Sequence, residues 1–410
     1  MHDKKNQATR REFMKQSLAG AAGLAFSLPQ IRSRIPDHNV QQDGKRGDVV
    51  FRTLGRTGIR VPVISLGAPS SIDLIQKALD AGVMHFDTAY RYGAGTSEML
   101  LGQALKGRPR ESYIAATKIL GLRDNLTGLP PAGVGADEFR EDFRKKLEVS
   151  LKRLGVDYLD ILFLHGVERP DLLGLALIKD VLQEIKEEGK ARYIGATFHH
   201  KELELIPAVV KEKIYDVILT SHNFRQPHRE EVRKAIASAA QAGLGIIAMK
   251  TVAGAFWDRE RKFPVNVPAA LKWVLQSEHI HTIIPGVENF DQLAQDVGVM
   301  KDLRLTAQEE EDLRFGEKMK LSGLYCAQCG ACREQCPFGL EIPTVMRSFM
   351  YAYGYRQPAK AKATLLERAP DKIVCRSCRR CAVSCTMGFD VPGRMRDVVR
   401  LLDVPDEFLA

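Results

Sequence analysis

A chain of 410 residues holds two or three domains of roughly 100 to 200 residues, or one large barrel with an appendage. With 45% hydrophobic and 27% charged residues it has the composition of a globular protein with a substantial core, and no apolar run approaches the ~18 residues of an integral membrane segment. The formal charge of +9 is partly terminal, because the first 30 residues hold five basic and two acidic side chains; the mild excess elsewhere argues against a nucleic-acid partner.

In "TRREFMKQSLAGAAGLAFSLP", Arg10 and Arg11 stand with Phe13 and Lys15 ahead of a weakly apolar stretch from about Ser17 to Leu28. Residues 1–30 therefore resemble a twin-arginine export signal. The alternative is a basic tail, since Ala25-Phe26-Ser27 is an imperfect cleavage site. Export by that route carries folded protein, which suits a chain whose metal is inserted in the cytoplasm; the implied location is periplasmic, and cytoplasmic if the segment is only a tail. Residues 31–48 are polar and aperiodic, as in a linker.

From Val49 to about Val299 short apolar runs alternate with helical patterns. The runs are 62–67, 85–89, 113–119, 160–165, 192–197, 216–223, 245–251 and 281–286. Between them lie segments such as "EFREDFRKKLEVSLKRLG", whose Phe139, Phe143, Leu147 and Leu151 share one helix face. Eight strand and helix units predict an α/β fold, a (β/α)8 TIM barrel over 49–305, with its chemistry at the carboxyl ends of the strands. Residues 306–322 are expected to connect it, as a helix, to a C-terminal region at 323–410.

Four polar residues fall where that chemistry belongs: Asp87 at the end of the second run, Tyr92 in "YRYGAGTSE", Lys118 at the end of the third, and His165 ending the fourth. Singly, each has an ordinary structural role. Together they suggest that Tyr92 protonates a carbonyl oxygen, that an ammonium held by Asp87 lowers the phenol from ~10, and that His165 orients the carbonyl. The stretches "FRTLGRTGIRVPVISLG", "FDTAYRYGAGTSEMLLGQAL", "ATK", "DILFLHG", "GLGIIAMKTVAG" and "IIPGVENFDQL" resemble the aldo-keto reductase family. That resemblance implies a catalytic tetrad of Asp87, Tyr92, Lys118 and His165 reducing an aldehyde or ketone, or oxidising the alcohol, with NADP(H) or NAD(H). Gly93 and Gly95 form no dinucleotide fingerprint, because they follow a loop and lack the third glycine.

For the dinucleotide, the resemblance points to Thr197 near the amide, His222 and Asn223 at the ring, Pro285, Gly286 and Val287 at the phosphates, and Gln292 and Asp296 at the adenine. Lys250 is a further phosphate contact or a solvated strand end. Two departures stand out. "GATFHH" lacks the usual Asn, and Glu288-Asn289 replace the basic residue that often selects NADP.

All eight cysteines lie in "CAQCGACREQC" and "CRSCRRCAVSC". Each is C-x2-C-x2-C-x3-C, the bacterial ferredoxin spacing, in which the fourth cysteine ligates the other cluster. Zinc sites more often use separated pairs, and disulfides across two-residue gaps are strained. Two [4Fe-4S] clusters are therefore expected, one on Cys326, Cys329, Cys332 and Cys385 and one on Cys375, Cys378, Cys381 and Cys336. "CPFGLEIPTVMR" and "CTMGFDVPGRMR" align as an internal duplication, each proline opening a helix, so the region resembles an α-helical two-cluster ferredoxin-like domain. Thr386 stands where proline usually follows the last cysteine. Arg376, Arg379, Arg380, Arg394, Arg396 and Arg400 either offset cluster charge or form a face for an acidic redox partner.

A hydride carries two electrons and each cluster accepts one, and no flavin motif is visible between them. One reading is a carbonyl or alcohol oxidoreductase with structural or sensing clusters. A second is an exported electron-transfer protein acting on a substrate with electrons from a partner. A third is a barrel that has lost its cofactor and only binds.

Overall fold

The computed structural model describes residues 49–409, apart from 69, 124–128, 322, 327–328, 369–377, 379–380 and 387. Residues 1–48, where the export signal and linker are expected, lie outside the described residues, as do Cys375, Arg376, Arg379 and Arg380.

The chain begins with an antiparallel hairpin, β1 (Phe51–Thr53) and β2 (Arg60–Pro62). Leu54, Ile59 and Val61 enter the same apolar cluster as Ile114, Ala116, Ile161, Phe163, Val217, Leu219 and Ile247, so the hairpin plugs one end of a strand barrel. At its turn Gly55 has φ +50°, and an added Cβ would lie 2.4 Å from the Gly245 nitrogen. Only glycine permits that approach.

The barrel itself has eight parallel strands: β3 (Leu66–Gly67), β4 (His85–Asp87), β5 (Ile114–Ile119), β6 (Leu159–Leu164), β7 (Ala191–Phe198), β8 (Val217–Ser221), β9 (Gly245–Met249) and β10 (Thr282–Ile283). They pair in chain order, and parallel bridges from Ile64 to Ile283 and from Gly67 to Gly286 close the ring. This is the expected (β/α)8 barrel. Alternate positions of β5, β6, β8 and β9 point inward, while the others, including Ala115, Leu162, Ile218 and Ile246, pack on the helices. The helix Ala136–Leu154 buries Phe139, Phe143, Leu147 and Leu151, the face its spacing predicts. Because the hairpin plugs the amino-terminal end, at the start of β9, the carboxyl ends of the strands are the open mouth.

The helix Ala307–Lys318 opens with a capping box between Thr306 and Glu309. Beyond it, helix Ile342–Phe349 passes into a π-helical turn, Met350–Gly354, and helices Pro358–Arg368 and Val391–Val399 come next. The duplication is visible in the backbone: Gly339 and Gly388 have φ +62° and +74°, and their amides donate to Cys336 O and Cys385 O, each at 3.0 Å. Both repeats then enter a helix with proline in its first turn. This region shares an apolar core with the barrel loops: Phe224, Ala253, Trp257 and Val265 pack with Leu324, Tyr325, Ile342, Met346, Phe349 and Met395.

Candidate active site and cluster recess

Asp87 ends β4 and Lys118 lies in β5, so parallel pairing of these strands brings them together at the mouth. Both are buried, and the Lys118 ammonium bonds Asp87 Oδ2 and donates to Thr88 O at 2.7 Å. Burial by itself would lower the ammonium; Asp87 and Tyr92 outweigh it, so Lys118 is held above its ordinary value and stays charged. Its Nζ lies 4.9 Å from the centre of the Tyr92 ring. His165 meets that ring edge to face, with centroids 5.8 Å apart. Burial, reinforced by Lys118, Arg123, Arg91 and Arg347, keeps the imidazole well below its usual value and therefore neutral. The four residues form one group at the strand ends.

One expectation changes sign. Lys118 does pull the Tyr92 phenol down, but burial is the larger effect and the net shift is upward. Reasoning from charged neighbours in the sequence omits this desolvation, which disfavours the phenolate. Tyr92 is consequently a proton carrier at neutral pH rather than a phenolate.

The residues expected at the dinucleotide are placed differently. His222 is 1% exposed, its ring 5.2 Å from that of Trp273 and its Nδ1 3.2 Å from Gln226 Oε1. Asn223 is 0% exposed, donating to Lys250 O at 3.2 Å and accepting from Arg225 N at 3.0 Å. Thr197 accepts from Gly166 N at 2.8 Å. His222 and Asn223 thus present no open ring face and no free amide as the chain stands. Pro285 and Val287 are buried, while Gly286 and Gln292 are exposed, and Gln292 accepts from Glu288 N. Asp296 is turned inward at 2% exposure, and burial pushes its carboxyl up to about 7.

The C-terminal region covers this side of the mouth. Buried Tyr325 hydrogen-bonds Asn223, Tyr355 hydrogen-bonds the backbone at Gly254, and Tyr351 of the π turn hydrogen-bonds Lys250. At the neighbouring strand ends Arg333, next to Cys332, approaches His200 Nε2 at 3.2 Å, Glu341 at 3.2 Å and Glu168 at 3.9 Å. Sequence reasoning missed Tyr351, His199, Arg91 and Arg123 as neighbours of this site, and took Arg347 only as part of the internal repeat.

Cys326, Cys329, Cys332 and Cys385 line one recess with Pro343, Met346, Phe389 and Val391, the set the crossed ferredoxin rule assigns to one cluster. A cubane binds each thiolate through a different iron, so its ligands surround a recess rather than converging on a point. Among the described residues no three His, Cys, Asp or Glu side chains converge on a point. The apolar walls and thiol donor set fit such a cluster. The second set includes Cys375, outside the described residues.

The model of the Aldo/keto reductase family matches residues 65–267, and that of a 4Fe-4S dicluster domain matches residues 325–390. Among curated proteins, L-galactose dehydrogenase of Arabidopsis thaliana is 26% identical over 65% of this chain and 92% of its own length. The NADH-specific methylglyoxal reductase of Escherichia coli is 27% identical over 56% and 82%. Among solved structures, a holo aldo-keto reductase from Bacillus halodurans superposes with a TM-score of 0.52 at 22% identity, covering 65% of this chain and 96% of that one, a likeness of fold. The chain is an oxidoreductase homologue that joins an aldo/keto reductase family domain at residues 65–267 to a 4Fe-4S dicluster domain at residues 325–390.

Proposed function

We propose that the protein is an aldo-keto reductase-type oxidoreductase that interconverts a carbonyl and its alcohol at Tyr92, is NAD(P)H-dependent, and carries two [4Fe-4S] clusters. The observation that carries this reading is the group of Asp87, Lys118, Tyr92 and His165 at the strand ends, the first two buried and the other two half-buried. Neutral His165 and the Tyr92 hydroxyl orient the carbonyl oxygen, and Tyr92 gives it a proton in the direction of reduction. Lys118, locked to Asp87, stabilises the phenolate as it forms. A nicotinamide would supply the hydride when bound. The cysteines of the recess would hold iron and supply single-electron capacity close to this mouth.

A second reading is favoured by the closed surfaces of His222 and Asn223, which offer a nicotinamide no ring face or amide in this arrangement. In it, substrate exchanges electrons with the clusters and an acidic partner protein. One titration separates the two. Anaerobic protein with its clusters intact is titrated with NADPH, with and without aldehydes, while the iron-sulfur absorption is followed. Carbonyl-dependent NADPH consumption that falls by about 10^2 to 10^4 in Tyr92→Phe supports the first reading. Reoxidation of dithionite-reduced clusters by an aldehyde in the absence of NADPH supports the second, and absence of any NADPH consumption defeats NAD(P)H dependence.

A further inference from the structure

The two cysteine stretches repeat with an offset of 49 residues, which sets Cys326 on Cys375 and Cys336 on Cys385. Gln335 and Ser384 are equivalent under that offset, and they meet. Gln335 Oε1 accepts from Ser384 N at 2.7 Å and from Ser384 Oγ at 3.2 Å, so an approximate two-fold axis passes beside the fourth cysteine of each stretch. The backbones on either side of it match, as the hydrogen bonds of the Gly339 and Gly388 amides show. The side chains do not. Immediately after those cysteines the chain carries Pro337 in one repeat and Thr386 in the other. Thr386 Oγ1 lies 3.7 Å from Cys329 Sγ, within hydrogen-bonding reach of a sulfur, and both residues line the recess with Cys326, Cys332 and Cys385. Proline has neither a hydroxyl nor a backbone N–H, so the equivalent position cannot make this bond.

A cysteine that holds iron is a thiolate with no proton to give, so between the two the Thr386 hydroxyl is the donor. Reduction adds negative charge that the ligand sulfurs share, and a hydrogen bond to such a sulfur is stronger in the reduced state than in the oxidised one. The bond therefore raises the reduction potential. We propose that Thr386 is a tuning residue for one of the two clusters, the one expected on Cys326, Cys329, Cys332 and Cys385, and that Pro337 gives the other no such contribution. This rests on the two-cluster reading. The recess concerned lies against the barrel: Arg333, next to Cys332, reaches Glu168 at 3.9 Å, and Glu168 stands in the segment after β6 that begins with His165. Thr386 thus sets how readily an electron is held beside the candidate active site.

The test is an anaerobic titration with dithionite and redox mediators, monitored by electron paramagnetic resonance on the full chain with its clusters intact. Thr386→Val keeps the shape and removes the donor. In it one midpoint is expected to fall by about 28 to 59 mV, a change of about three- to tenfold in a one-electron equilibrium, while the other midpoint stays. Thr386→Ser retains a hydroxyl and should remain near the wild type. Unchanged iron content and visible absorption report that each variant carries its clusters; where Thr386→Val loses them, Thr386→Ala decides by the same criterion. An unchanged midpoint in the fully loaded variant, an equal fall of both midpoints, or a fall in Thr386→Ser as large as in Thr386→Val overturns the proposal alone. A wild type that binds no iron overturns the two-cluster reading and the proposal with it.

Discussion

At the residue scale, burial decides which ionisable groups carry charge. Lys118 keeps its proton because Asp87 is bonded to it, whereas Asp296 is pushed up to about 7 by burial. An aspartate of raised pKa is protonated in the fold and ionised in the unfolded chain between about pH 4 and 7. The folded state therefore binds more protons in that window, and stability falls as pH rises through it. Asp296→Asn removes the slope. Thermal midpoints of variant and wild type should coincide near pH 4, with the variant higher at pH 8; equal midpoints at pH 8 would refute a neutral buried Asp296. That the residue faces inward was not legible from its place in the aldo-keto reductase-like motif, because a family position says which helix turn a side chain occupies and not how its own core packs.

At the element scale, the helix Ala307–Lys318 shows where local preference and packing diverge. Alanine in place of Gly316 would ordinarily favour a helix by roughly 1 kcal/mol. Here the added Cβ would lie 2.0 Å from the Trp257 ring, which is buried between Arg225 at 4.5 Å and Phe224 at 5.8 Å. We expect Gly316→Ala to cost about 1 to 3 kcal/mol, as overpacking does, with a shifted tryptophan emission; a more stable variant would show that Trp257 is free to move. The helix itself was readable from Thr306, Glu309 and the helix-forming residues after them. The contact with Trp257 was not, since it joins residues 59 positions apart through a loop with no periodicity.

At the scale of the whole molecule, three apolar clusters lie among the described residues. The first and largest lies between barrel strands and helices, the second joins the loops after β8 and β9 to the C-terminal helices, and the third fills the barrel interior under the hairpin. Because Cys326, Cys332, Cys336 and Cys385 border the second core, loss of iron should loosen it and spare the first. Hydrogen exchange before and after chelation is expected to rise in residues 253–265 and 340–350, which belong to the second core, while β5 to β7 stay protected. Uniform deprotection would show that the barrel depends on the clusters, and no change would show that they leave this core unaffected.

Sequence by itself determined the alternation of strands and helices, the four polar residues at the strand ends and the cysteine spacing. Each depends on contacts between near neighbours or on a fixed ligand geometry, and such patterns survive in one dimension. Tertiary structure alone decided that Tyr325 hydrogen-bonds Asn223, that Tyr351 and Arg347 reach the mouth, and that burial outweighs Lys118 in setting the Tyr92 proton. These outcomes depend on how water is excluded by groups some 100 to 260 residues apart, and desolvation is a property of the folded surroundings rather than of any spacing along the chain.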